Sequence, residues 1–214
     1  PLILLYFLLS VAVYAQEKYV FTDVVRLDAT KVKNQQITGT CWSFSASSYI
    51  ESEAIVENIS DLDLSEMFIV RNIYIEKALN YVRRQGATQF GEGALGNDFL
   101  SAADKYGLVP ESVFPARNEG EVFDHRELSL LLKNYLDGVI KNPAGKLSGY
   151  WLNGYIGILD AYFGPAPKTF EYNGKTYSPI TFAKEVVKFD INNYVYITSF
   201  THEPFYKPFV LQVP

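Results

Sequence analysis

Gln35-Gln36-Ile37-Thr38-Gly39-Thr40-Cys41-Trp42-Ser43-Phe44-Ser45 decides how this chain is read, because it holds the only cysteine. Residues up to Thr40 are turn-like, and from Cys41 to about Glu57 the apolar residues Trp42, Ala46, Tyr49, Ile50 and Ala54 recur at helical spacing. Thr40 is then the N-cap, and Cys41 falls in the first turn. A first-turn thiol faces N–H groups without intrahelical partners and the positive end of the helix dipole. Both favour the thiolate, which is the nucleophilic form. Gln35, six residues before Cys41, is placed to reach back across the turn. Its amide and the Cys41 backbone N–H can then donate hydrogen bonds to a developing oxyanion. The spacing predicts half of an acyl-transfer site; the bland alternative for Cys41 is a buried structural cysteine at a helix start.

Working outward, a second long helix is predicted from Ser65-Glu66 through Met67, Val70, Ile73, Tyr74, Ala78, Tyr81 and Val82, ending near Gly86. The glycine-rich loop Gly91-Glu92-Gly93-Ala94-Leu95-Gly96 leads into a third helix from about Asn97 to Tyr106, closed by Gly107 and followed by Pro110. Asp124 to Val139 and Tyr150 to Tyr162 read as two further amphipathic helices, parted by Asn142-Pro143-Ala144-Gly145. From Pro165 the character changes. Asn173-Gly174 between Phe170-Glu171-Tyr172 and Lys175-Thr176-Tyr177 is a hairpin signal, and Tyr194-Val195-Tyr196-Ile197 and Phe209-Val210-Leu211-Gln212-Val213 read as sheet. Helices first and strands later make the chain α+β. The expected divisions are a leader over 1–15, a helical lobe over 16–115, a helical insertion over 116–164 and the start of a β-rich lobe over 165–214.

The 214 residues suit one domain or two closely packed lobes. With 48% hydrophobic and 20% charged residues the chain is neither disordered nor collagen-like, and one cysteine excludes a disulfide scaffold. A net charge of −5 without any basic block argues against a nucleic-acid partner. The 16 Tyr and 15 Phe are therefore read as packing rather than as a base-stacking platform. The opening PLILLYFLLSVAVYA is uncharged, with an apolar run from Leu2 to about Val13 that is too short for a comfortable membrane span. Val13 and Ala15 suit the −3 and −1 positions of signal-peptide cleavage. An exported protein, periplasmic or secreted, with no stable membrane anchor after cleavage is the expectation. The absence of an initiator methionine and of a basic n-region, with strand-like residues running up to Pro214, is read as a chain incomplete at both ends.

Gln35, Gly39 and Cys41, with Trp42-Ser43-Phe44-Ser45 after them, resemble the signature of the papain-type cysteine peptidases, in which Gln, then Cys six residues on, then Trp-x-Phe recur. Leu64-Ser65-Glu66 is similar to that superfamily's Leu-Ser-Glu, and Gly93 to its substrate-wall glycine. Lys105-Tyr106-Gly107-Leu108-Val109-Pro110 and the helical stretch beyond it look most like the bleomycin hydrolase or aminopeptidase C branch. The resemblance implies a two-lobed papain-like fold, its helical first lobe present and its sheet-rich second lobe truncated. It implies Cys41 as nucleophile, Gln35 as oxyanion donor, Gly93 and Trp42 on the substrate side, a peptide substrate and no cofactor. The same branch implies aminopeptidase action and a homo-oligomer. The family's glycine pair is here Gly93-Ala94.

A catalytic thiolate needs an imidazole within hydrogen-bond reach. His202, in Thr201-His202-Glu203-Pro204, lacks the small and then apolar residues that follow the family's histidine. His125, between Asp124 and Arg126 at a helix start, reads as a solvated or capping residue. The catalytic His and Asn are therefore expected beyond Pro214. Gly91 to Gly96 also matches G-x-G-x-x-G with Glu111 downstream, but no buried strand precedes it, so dinucleotide binding is set aside. Asn58-Ile59-Ser60 is taken as a loop, and Asp61, Asp63 and Glu66 lack the spacing of a calcium loop, so no metal is expected. Two functions remain: an exported cysteine peptidase acting through a Cys41 thioester, or a non-catalytic exported module that keeps the lobe as a peptide-binding or assembly surface.

Overall fold

The computed structural model describes residues 19–118, 120–198 and 201–209. The signal-peptide reading of residues 1–15 and the strand expected over 210–213 lie outside them. Five helices lie between residues 41 and 163: α1 (Cys41–Val56), α2 (Glu66–Arg83), α3 (Gly96–Tyr106), α4 (Arg126–Ile140) and α5 (Trp151–Phe163). A hairpin follows, β1 (Phe170–Tyr172) and β2 (Lys175–Tyr177), then α6 (Pro179–Glu185) and a 3-10 turn at Ile191–Asn193. Helices α1, α3, α4 and α5 and the hairpin fall within a residue or two of where the apolar periodicity and the Asn-Gly signal put them, α2 ends three residues short of the expected Gly86, and α6 is a helix that the sequence reading did not expect.

Helix α2 is the axis of the packing. Every residue from Glu66 to Tyr74 is buried, and the helix touches α1, α3, α4 and α5. A helix hidden on all sides has to satisfy its polar groups internally. Ser65 does so at the start, its side chain accepting from Phe68 N–H at 3.2 Å while donating to the Phe114 carbonyl at 2.5 Å. Arg71 reaches Asp160 on α5 at 2.5 Å, and Tyr155 of α5 donates to the Tyr74 carbonyl at 3.0 Å.

The tail docks through a glycine. Gly107 ends α3 at φ +82°, and a Cβ there would stand 2.1 Å from the Pro179 backbone, so only glycine admits the contact in which Leu108 N–H donates to the Pro179 carbonyl at 3.1 Å. The hairpin turns at Asn173 (φ +48°) and Gly174 (φ +75°), the double positive φ of a type I′ turn, and pairs Tyr172 with Lys175. Phe182 of α6 sits edge-on to Phe170, Tyr172 and Tyr177.

One expected strand is corrected. Tyr194 to Ile197 forms none: Tyr194 stacks on Phe189 and meets Tyr49 edge-on, while Val195, Tyr196 and Ile197 are exposed. Alternation supplies a two-sided ribbon only where a neighbouring strand takes up its backbone groups, and no such neighbour stands among the described residues. The fold is α+β, with a helical lobe and one small hairpin. No described helix is long and apolar enough to cross a membrane.

Candidate active site

Cys41 opens α1 with its thiol exposed and unpaired. Thr40 occupies the N-cap, but its side chain does not cap: its hydroxyl bonds that of Thr38 at 2.6 Å, while its carbonyl accepts from the N–H groups of Ser43 (2.9 Å) and Phe44 (3.3 Å). Gln35 and Cys41 line one cleft of about 470 Å³, together with Val32, Lys33, Asn34 and Phe44. The Gln35 amide donates to the Thr38 carbonyl at 2.5 Å, and the Thr38 hydroxyl returns a bond to the Gln35 carbonyl at 2.9 Å. Loop 35–40 is thus braced on itself, with amide and thiol turned to the same opening.

The loop is also held from behind. Ile37 N–H donates to the Phe123 carbonyl at 3.0 Å, and His125 N–H to the Ile37 carbonyl at 3.1 Å, a short parallel pairing with the segment before α4. Gln36, at φ +59°, accepts from Phe123 N–H at 2.5 Å and from Arg117 at 3.1 Å. Nothing in a single sequence marks Phe123 or Arg117 for this task.

Trp42 lies in the core at 6% exposure, and its indole N–H donates to the Glu92 carbonyl at 3.0 Å. That bond ties it to the glycine-rich loop. Gly93 is exposed in that loop, a side chain added there would enter open space, and its carbonyl and that of Gly91 both accept from Lys77. Burial holds the Lys77 ammonium below its usual range against the pull of Asp98 and Glu92.

His125 is corrected on both counts. It stands at the N-cap of α4 but makes no cap bond, and it is not solvated: 4% of it is exposed, with Phe163 edge-on at 5.2 Å and Phe123 and Tyr74 around it. Burial lowers its pKa, partly countered by the charges of Glu92 and Asp124. His202 is exposed, and neither histidine lines the cleft that holds Gln35 and Cys41.

Along the cleft flank, Lys33 gathers three carboxylates, Asp63 at 2.5 Å, Glu66 at 2.8 Å and Glu51 at 3.1 Å, and donates to the Leu64 carbonyl at 3.0 Å. Burial opposes its charge, but the hydrogen bonds to Asp63 and Glu66 outweigh it and hold the ammonium above its usual range. Glu111, left outside this knot with one carboxylate oxygen buried and unpartnered, is pushed up to about 7 by burial and by the charge of Glu66. Among the described residues, no group of three or more His, Cys, Asp or Glu side chains is placed to hold a metal ion.

The exposed cysteine that opens α1 and the glutamine that precedes its loop thus share one cleft. A family model described as papain family cysteine protease matches residues 22–85. Cysteine proteinase 1, mitochondrial, of Saccharomyces cerevisiae is 29% identical over 117 residues, covering 46% of this chain and 24% of that protein. Bleomycin hydrolase of Rattus norvegicus is 23% identical over 210 residues, covering 80% of this chain and 46% of that protein. The crystal structure of PepW from Lactobacillus rhamnosis superposes with a TM-score of 0.56 at 24% identity, over 80% of this chain and 47% of that one, a likeness of fold. The chain spans between about a quarter and a half of the length of these relatives. Together these likenesses are to papain-family cysteine proteases, bleomycin hydrolase among them.

Proposed function

We propose that the protein is a cysteine peptidase, with Cys41 as nucleophile and Gln35 as side-chain oxyanion donor. The observation that carries this reading is the shared cleft: the exposed thiol at the start of α1 and the Gln35 amide line the same opening. The Cys41 thiolate attacks the peptide carbonyl carbon, a C–S bond forms, and the carbonyl π electrons move onto oxygen. An amide nitrogen carries two N–H donors, so Gln35 can keep one on Thr38 and offer the other, beside the Cys41 N–H, to that oxygen. Collapse breaks the C–N bond as an imidazolium protonates the leaving amine, and water then cleaves the thioester to acid and thiol. His125 is sealed behind the loop and His202 is absent from the cleft walls, so the imidazole and its Asn partner are proposed to come from outside these 214 residues.

The branch likeness supports aminopeptidase action on peptides and assembly into a homo-oligomer, with no cofactor. Gly93, open to solvent beside the loop that Trp42 fixes, is proposed to contact the substrate backbone. The apolar run from Leu2 to Val13 supports export to a periplasmic or extracellular space. Replacing Cys41 with Ala in the full-length protein is expected to abolish hydrolysis of an aminoacyl fluorogenic substrate; undiminished turnover would defeat the assignment.

The absence of both histidines from the cleft walls favours a second reading, a peptide-binding module without turnover. Iodoacetamide separates the two. An imidazole-paired thiolate is alkylated well below pH 7, whereas an unassisted thiol reacts only as pH approaches about 8.5.

A further inference from the structure

Cys41 and Gln35 occupy the open side of loop 35–40, yet a carboxylate is set against its other side, and the mechanism above does not use it. Glu92, its side chain 18% exposed, accepts from Gly39 N–H through Oε2 and from the Ser129 hydroxyl through Oε1 at 2.8 Å, while its own carbonyl takes the Trp42 indole N–H. One residue of the glycine-rich loop therefore ties together the nucleophile loop, α1 and α4. The fit is close: a Cβ on Gly39 would stand 3.0 Å from the Glu92 Cβ and 3.4 Å from Oε2, so a larger residue there would press on the Glu92 side chain.

The other groups facing this carboxylate leave its two bonds intact. His125 Nδ1 stands 3.7 Å from Oε2, beyond hydrogen-bond length, and makes no other bond. The Tyr74 hydroxyl lies behind Ser129 at 3.4 Å. Lys77 is occupied by the Gly91 and Gly93 carbonyls, and its charge is drawn by Asp98 and Glu92 as that of His125 is by Glu92 and Asp124. Two acceptor oxygens thus meet two donors.

We propose that Glu92 is a positioning residue for acyl transfer: by holding Gly39 it fixes the backbone through Thr40 to Cys41, and so aims the Cys41 N–H at the place where the oxyanion forms. The inference rests on the peptidase reading. Glu92 reaches the backbone before the nucleophile and not the thiol, so its loss falls on stabilisation of the transition state and spares thiol availability and peptide binding.

The test compares Glu92→Ala, Glu92→Gln and Ser129→Ala in the full-length protein on an aminoacyl fluorogenic substrate, alongside iodoacetamide alkylation of Cys41 and melting temperature. Glu92→Ala is expected to lower kcat by about 10- to 100-fold while KM and the alkylation rate stay within about two-fold. Glu92→Gln, which keeps an acceptor for Gly39 N–H, is expected to recover most of that loss, and Ser129→Ala to cost less than Glu92→Ala. Unchanged kcat in Glu92→Ala overturns the proposal. So does a parallel fall of kcat, alkylation rate and melting temperature without rescue by Gln, which would mark a merely structural role. If the unmodified protein shows no Cys41-dependent turnover, the peptidase reading is what fails, and hydrogen exchange at the Gly39 amide judges the contact. Exchange at least about 10-fold faster in Glu92→Ala supports it, and equal exchange refutes it.

Discussion

Behind loop 35–40, Ile37 is paired with Phe123 and His125, Gln36 is bonded to Phe123 and Arg117, and Gly39 is bonded to Glu92. In front, the same loop borders an open cleft where Cys41 is exposed and Val32 wholly so. On the proposed reading the two sides divide the labour of a reactive site. A nucleophile has to be reachable, so it cannot be packed, yet it has to be held in place to a fraction of an ångström. This chain places the hydrogen bonds and the burial on the side away from the cleft and leaves the thiol to the solvent. The front is consequently the place to change chemistry without changing stability.

That contrast can be broken at three points. The largest effect is expected at the front: Gln35→Ala should lower kcat by about 10²–10³, the usual loss for one oxyanion donor, with the melting temperature nearly unchanged. A marked fall in melting temperature would show that the Thr38 contact bears on the fold and blur the division. On the flank, Glu111 is pushed up to about 7 in the folded chain, so between its ordinary 4.5 and about 7 the folded state holds more proton than the unfolded one and stability falls as pH rises. Glu111→Gln should remove that fall and add about 1–2 kcal/mol at pH 8, a figure reduced for the half-buried setting; equal urea midpoints for the two proteins at pH 8 would refute it.

The smallest effect is expected at the back. The His125 imidazole has its pKa lowered by burial, so the unfolded chain takes up a proton first as pH drops below about 6.5 and stability declines from there. His125→Phe, in a site already walled by Phe123 and Phe163, should flatten that acid limb in urea titrations while leaving neutral-pH turnover intact. An unchanged acid limb would mean that another group governs it. Reduced turnover at neutral pH would instead draw His125 into the chemistry and sharpen the role of the back.

How much of this was legible beforehand follows the range of the interactions. The helices were, because apolar spacing along α1 to α5 is a local pattern, and so was the hairpin, because Asn173-Gly174 dictates its own turn. The meeting of Cys41 and Gln35 at one cleft was legible too, the two being six residues apart in one short stretch. Glu92 was in plain view inside the glycine-rich segment, but its value lies in Gly39 and Ser129, which only the fold brings near. His125 misled because charged neighbours on either side suggest solvent, whereas burial is settled by Phe123, Phe163 and Tyr74 arriving from three directions. Lys33 carried no signal at all: one lysine in a polar stretch says nothing of three carboxylates that meet on it.

The parallel pairing of Ile37 with the segment before α4 has a consequence for synthesis. Chains emerge from the ribosome N-terminus first, at about 5–20 residues per second, and their early parts settle before later ones exist. The thiol and its helix are made early, but Phe123, His125 and Ser129, which lock the loop beneath it, come several seconds later at that rate. Until then the cysteine sits on an unset hinge, and the site matures only when α4 has left the ribosome. The order of translation itself delays the moment at which the loop before Cys41 is set.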